Sequence, residues 1–462
     1  MWLIIPLLIA IAIIAVNALL QRKPQQCPQN KVAEDNNSGY SIVVGISILT
    51  YAVKYTIVFA ALTLKSIQNA MKSAKKLPTE NEAVYKRQEL PQDLSKMSNQ
   101  ILANDAVAFQ AADLNGNQVL IRFGRRTALH AGELWLIIRL TNSRHIFASS
   151  AEDNVTEHDI KLCYPGHPAT QISRTESTDD FIGSGLKCRV EQPMKSWSIE
   201  YQGPMIAISE NQHSQSVKSK RTKVNVELKL RWRAVSKHFD FNADLDAGLV
   251  AAGVAREPWT TLFFNNLKRA HEDRYEQWGE MTGSIEFQEE PNDFINLPSS
   301  IVQLNHLIGM RDHCYGFLTR IGAVGFNIEN GTFVQVCETG RDTRDIAQIW
   351  AILSLIYGYV GGDCLTKNQT LLPISNCSLD LRLIGDNGVP PELLSFSFTA
   401  ADGKEFLVEM QVATETVVFN GAQRESRSHL RFVNLTISCA DMNIMHSCGN
   451  GFSEFEYRNY KT

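Results

Sequence analysis

Leu307-Ile308-Gly309-Met310-Arg311-Asp312-His313-Cys314-Tyr315-Gly316 places three adjacent ionisable side chains between an apolar lead and an aromatic-glycine pair. In a strand, neighbouring side chains alternate faces, so Arg311 and His313 share one face and Asp312 takes the other. Charges on an inward face must be paired or functional, because burying them alone is costly. Upstream stands a dense polar-aromatic run, His271-Glu272-Asp273-Arg274-Tyr275-Glu276-Gln277-Trp278-Gly279. The alternating segment Thr282-Gly283-Ser284-Ile285-Glu286-Phe287 follows it.

Outward from this stretch the chain has the rhythm of short strands. Val119–Phe123, Leu186–Val190, Trp197–Tyr201 and Val224–Trp232 alternate well enough for half-buried strands. Glu133–Leu140, with the apolar run Leu134–Ile138 inside it, leaves strand and helix both open by periodicity. Gly203-Pro204 reads as a turn after Trp197–Tyr201. Asp240–Trp278 breaks the rhythm with helical spacing and reads as a connector. Strands resume afterwards, separated by Gly361-Gly362, Asp386-Asn387-Gly388 and Ala401-Asp402-Gly403, which are hairpin signals. Regular short strands with such turns point to barrels or sandwiches. The expected architecture is mainly β: two antiparallel β-barrels joined by a helical connector, preceded by N-terminal membrane helices. The expected boundaries are 1–20 (transmembrane anchor), 41–64 (second apolar helix), 65–117 (linker and helix), 118–240 (first barrel), 241–280 (connector) and 281–462 (second barrel).

Trp2–Leu20 carries no charge and is about long enough to cross a bilayer. Arg22 and Lys23 follow it and mark a cytoplasmic flank. Ser41–Leu64 is apolar but holds Lys54 at its centre, which costs about 2.5–3.5 kcal/mol on insertion. Ser47, Thr50 and Lys54 share one helical face. The segment either spans, with that stripe against another helix, or lies flat on the membrane. A single anchor plus an interfacial second helix keeps every basic flank in the cytosol, with Lys65, Lys72, Lys75 and Lys76 just beyond. That favours a body facing the cytosol, and the expected membrane is the endoplasmic reticulum. The N-x-S/T sequons at Asn36, Asn154, Asn330, Asn368, Asn376 and Asn434 support the opposite, a lumenal and glycosylated body.

The 462 residues, 44% hydrophobic with a formal net charge of -4, describe a folded protein without the basic surplus of a nucleic-acid binder. Eight of the nine cysteines fall into couples, 163/188, 314/337, 364/377 and 439/448, readable as local disulfides or as ordinary thiols. No C-x-x-C, P-loop, dinucleotide fingerprint, H-E-x-x-H or G-x-S-x-G occurs, and no histidine spacing suits a metal; neither a metal nor a cofactor is expected.

Arg274–Gly279, Gly283 and Gly309-x-Arg311-Asp312-His313-Cys314-Tyr315-Gly316 resemble a tandem lipocalin-like family that includes carotenoid 1,2-hydratase and an animal branch labelled phosphoenolpyruvate synthase-like. Trp197–Met205, Phe239-Asp240-Phe241 and Gly451–Arg458 fit that branch too. The resemblance covers roughly Gln118 to Arg458 and implies two calyx-like barrels, a helical connector and an apolar ligand. The chain departs from the family at Cys314, where serine is usual, and at Phe317-Leu318-Thr319. It carries no phosphohistidine or ATP-grasp signal of a phosphoenolpyruvate synthase.

Three functions follow as expectations. The first is a membrane-anchored binder of an isoprenoid, sterol or fatty acyl lipid, whose partners are the bilayer and the ligand. The second is a hydratase or isomerase in which Asp312 or Glu276 donates a proton to an alkene. The third is a structural membrane-tethered module. Arg311, His313, Tyr315, Tyr275, Gln277, Trp197 and Tyr201 are expected to bind ligand or to form an ionic clasp.

Overall fold

The structure is a computed structural model that describes residues 48–73, 89, 103–113, 115–126, 132–143, 158–163, 180–210, 221–257, 259–261, 264, 272–289, 300–317, 330–337, 346–352, 355–361, 371–379, 389–420, 426–439 and 444–458. The apolar run Trp2–Leu20 and the sequons Asn36, Asn154 and Asn368 lie outside the described residues.

The described chain is mainly β. One antiparallel sheet contains β1 (Ala103–Ala112), β2 (Gln118–Arg126), β3 (Gly132–Ser143), β4 (His158–Cys163), β5 (Asp180–Gly183), β6 (Leu186–Gln192), β7 (Ser196–Glu210), β8 (Arg221–Asp240), β9 (Glu272–Glu289) and β10 (Ser300–Phe317). Its order is β4-β3-β2-β1-β10-β9-β8-β7-β6-β5, and it curls until β4 also pairs with β7. The second sheet runs through β11 (Asn330–Cys337), β12 (Ile346–Ile352), β13 (Leu355–Gly361), β14 (Leu372–Cys377), β15 (Leu393–Ala400), β16 (Glu405–Asn420), β17 (Ser426–Cys439) and β18 (Ile444–Arg458). These strands follow one another around a closed ring, with β18 paired back onto β11.

Alternation builds both interiors. In the first sheet Val107, Phe109, Val119, Ile121, Phe123, Leu136 and Ile138 face one core, together with Trp197, Trp232 and Tyr201. The opposite faces of β2 and β3 pack on the second ring, where Leu120, Trp135 and Ile137 meet Leu430, Phe432 and Phe452. Strand β3 is therefore covered on both faces, which is why Leu134–Ile138 reads as an unbroken apolar run.

The strand boundaries differ from those expected. The first sheet begins at Ala103, and β9 and β10 belong to it: β9 pairs with β8 and β10 with β1. The boundary placed at 281 falls inside β9. Alternating polarity fails in Glu272–Gly279 because both faces of that strand carry buried polar groups, so the segment reads as connector. Gly203-Pro204 is not a turn, since β7 continues through it against β8. Cys163, Cys188, Cys314, Cys377 and Cys439 are thiols, so the 163/188 couple is not a bridge.

Two helices are described, α1 (Ile48–Ser73) and α2 (Ala247–Arg256). The connector is helical only over α2 and at Thr261 and Phe264 among the described residues. Asp246 caps α2 by accepting from the Leu249 amide at 2.7 Å. Leu249 joins the core of the second ring, so α2 packs against that ring beside β13 and β14. Helix α1 packs on α2 and is apolar enough over Ile48–Gln68 to cross a membrane.

Candidate functional site

Arg311 has no exposed surface, and its register on β10 places it opposite Phe109 of β1 and Gln277 of β9. Its guanidinium lies 2.8 Å from a carboxylate oxygen of Glu89. It also donates to the Tyr275 hydroxyl at 3.0 Å and to Gln277 Oε1 at 2.8 Å. The rings of Tyr275, Trp232 and Trp197 surround it at 4.9, 5.1 and 5.4 Å. Each distance is within cation–π range. Glu89 in turn accepts from the Met194 amide and, at 3.3 Å, from the Trp197 indole. Gln277 is fixed by donating to the Met194 and Ser236 carbonyls, each at 3.0 Å.

His313 extends this network along the same face. Its Nδ1 is 3.1 Å from the Tyr275 hydroxyl and its Nε2 is 2.8 Å from Asp105. A chain Asp105–His313–Tyr275–Arg311–Glu89 therefore crosses the interior. Burial pushes the Tyr275 phenol well above its ordinary range. His238, edge-on to Tyr275 at 6.2 Å, is lowered by burial and, less strongly, by the charge of Arg311. Paired and hydrogen-bonded charges of this kind fix one packing arrangement, and losing one partner strands the other.

Asp312 points the other way, into the seam between the two sheets. Arg274 lies 2.6 Å from Asp312 and 3.2 Å from Glu276, so one guanidinium serves two buried carboxylates. Phe241 lies under the same guanidinium at 5.5 Å. A cleft of about 20 Å³ opens here, lined by Gln110, Trp135, Arg122, Arg274, Asp312 and Glu454. Asp312 Oδ1, Gln110 Oε1 and Trp135 Nε1 have no hydrogen-bond partner among the described residues. That space suits one water, not a hydrocarbon.

The inner wall of the second ring is apolar over Ile374, Phe396, Phe398, Val408, Met410, Val433, Leu435 and Phe455. On β16 and β17 the wall changes character. His429 Nδ1 is 3.0 Å from Glu415, and Arg431 pairs with Glu415 through Nε. Arg431 also donates to the Pro391 and Pro390 carbonyls at 2.6 and 3.0 Å. Burial alone raises the Glu415 carboxyl, but the His429 hydrogen bond and the Arg431 charge outweigh it and bring it to about 2. Ser453, opposite Arg431 across the ladder, is buried with no partner for its hydroxyl among the described residues.

The residues expected to form the site thus divide. Arg311, His313, Tyr275, Gln277 and Trp197 come together in the first interior. Asp312 and Glu276 lie on the opposite face with Arg274. Tyr201 belongs to the apolar core, with its hydroxyl donating to the Pro204 carbonyl at 2.8 Å. Tyr315 lies on β10, but its side chain is outside the described set. Glu89, Asp105 and Met194 complete the network and were not anticipated. Asp105 shares the buried parity of Val107 and Phe109, which is a usable signal. Nothing in the charged run around Glu89 marks it. Among the described residues no group of His, Cys, Asp and Glu could hold a metal.

The chain matches the model of a family of unknown function (DUF8627) over residues 51–443, and it belongs to that family. No curated protein matches it. Kievitone hydratase from Nectria haematococca is a distant structural likeness, at 10% identity and TM-score 0.35, covering 80% of this chain and 94% of that one. CghA is another, at 7% identity and TM-score 0.38, covering 78% and 90%. Scores this low carry no argument about chemistry, which rests on the geometry above.

Proposed function

We propose that the chain is a membrane-associated, lipocalin-like protein that binds an apolar small molecule inside the ring β11–β18. The ligand class is an isoprenoid, sterol or fatty acyl lipid. The observation that carries this reading is the contrast between the two interiors. The first is occupied by Trp197, Trp232, Phe109 and Phe181 and by the Arg311 network. In the second, the described side chains are apolar apart from one fixed polar patch at Glu415, His429 and Arg431, and no ionic network crosses it among the described residues. Small-molecule sites have that composition, mostly apolar with a few placed polar groups. The Arg311 network then acts as a structural clasp. The motifs shared with carotenoid 1,2-hydratase relatives and their animal branch agree with a lipocalin-like origin. The basic flanks at Arg22, Lys23, Lys65 and Lys72 support a body toward the cytosol, and the proposed membrane is that of the endoplasmic reticulum.

An enzymatic reading has one observation in its favour. Asp312 Oδ1 borders a cleft that suits one water, as a hydratase needs. The cleft is too small for a lipid substrate, and Arg274 already engages the other oxygen of Asp312. Native mass spectrometry of the full chain in mild detergent separates the readings. A retained lipid mass on wild type and on Asp312→Asn alike supports the binder. A ligand mass that accumulates only on Asp312→Asn, as unconverted substrate, supports the enzyme.

A further inference from the structure

Helix α1 has two unlike sides. Leu49, Val53, Ile57, Leu64, Ile67 and Met71 are exposed by 74, 51, 53, 53, 51 and 58%. At 3.6 residues per turn they fall within an arc of roughly 80° along the whole helix. Tyr51, Tyr55 and Phe59 line the opposite side in a ladder of rings 6.3 and 5.8 Å apart. Tyr55 approaches Gly248 of α2, where an added Cβ would meet its hydroxyl at 3.2 Å. Lys54 donates to the Glu257 carbonyl at 2.9 Å and lies over Trp259 at 5.4 Å. The lysine that makes this helix a poor span is thus bound to the helix beside it.

We infer that α1 lies in the plane of the membrane surface, with the Leu49–Met71 stripe in the lipid and the Tyr51–Phe59 side bolted to α2. This rests on the membrane association proposed above and fixes its geometry. A crossing helix would draw α2 into the hydrocarbon, and with it the exposed Asp244 and Arg256, where charges are expensive. Lying flat, the same residues sit at headgroup level. The helix carries lysines 54, 65 and 72 and no acidic residue, which complements an anionic leaflet. Trp259 and the exposed Phe264 meet edge to face with centroids 5.3 Å apart, an aromatic pair suited to the interface. Helix α2 and the adjoining end of the ring are then held at the bilayer surface, where an apolar ligand would be exchanged.

The test places a nitroxide amino acid, one at a time, at Leu49, Val53, Ile57, Leu64, Ile67, Met71 and Tyr55 of the full chain. The chain is reconstituted in phosphatidylcholine–phosphatidylserine vesicles, and oxygen and nickel-chelate collision rates give each label's depth. The expected result is one common shallow depth for the six stripe positions, about 5–10 Å below the headgroups, with Tyr55 shielded from both reagents. A depth that peaks near Ile57, with Leu49 and Met71 at opposite aqueous ends, means a span and overturns the orientation. Stripe labels open to the nickel chelate mean that α1 is not on the membrane at all. Labels shielded from both reagents mean that protein, such as the chain's own Trp2–Leu20 run, covers the stripe.

Discussion

Replacing Glu89 with alanine removes the counter-ion of a guanidinium that has no exposed surface. Breaking a buried pair by deleting one partner costs about 3–5 kcal/mol, because the remaining charge is left in low dielectric. The same carboxylate also accepts from the Met194 amide and the Trp197 indole, and an orphaned buried donor costs about 1–3 kcal/mol. These terms share one group and do not add, and Tyr275 and Gln277 still accept from Arg311. The expected loss is therefore about 4 kcal/mol. Urea unfolding of the detergent-solubilised chain reads it directly through tryptophan emission, since Trp197 and Trp232 flank Arg311. With a denaturant slope of about 2–3 kcal/mol per molar, the midpoint falls by about 1–2 M. The double variant Glu89→Leu with Arg311→Met removes both charges and should recover most of that loss. A Glu89→Ala midpoint shift under about 0.3 M, near the measurement error, would refute the clasp.

Three further outcomes are expected. Gly279→Ala brings a methyl carbon to 2.3 Å from the Trp232 ring and 2.5 Å from the Arg233 carbonyl; overpacking of this kind costs about 1–3 kcal/mol, and an unchanged melting temperature would contradict the packing. Arg274→Met leaves Asp312 and Glu276 facing each other in the seam, so the midpoint should fall by as much as for Glu89→Ala, and wild-type stability would show that the seam is wet. Glu415→Gln tests acid sensitivity. The folded carboxyl stands at about 2 against an ordinary 4.5, so its stabilisation is present above pH 4.5 and is lost as pH falls toward 2. The variant should therefore start less stable at neutral pH and lose less between 4.5 and 2 than wild type; parallel pH–stability curves would rule out this linkage.

Much of the fold could be read from alternation, because Arg311/His313 against Asp312 is a statement about strand parity that packing then obeys. The paired faces of β7 and β8 were legible for the same reason. What resisted reading were the strands whose neighbours decide them. Ala103–Ala112 is rich in small residues and gains its strand state by lying between β2 and β10. Glu272–Gly279 hides its strand behind charges that are buried in pairs. Long-range partners were less legible still: Glu89 meets Arg311, and Asp105 meets His313, across more than 200 residues. Local pattern holds no record of such distances.

Ligand binding in the ring is tested most directly by photo-crosslinking of the full chain in membranes with diazirine analogues of a fatty acid, a sterol and a polyisoprenol, followed by peptide mapping. Adducts of one analogue concentrated on inner-wall positions such as Phe398, Met410, Leu435 and Phe455, and suppressed by Val408→Trp, are the expected result. Adducts confined to α1, or spread over the outer surface and unaffected by Val408→Trp, would contradict it.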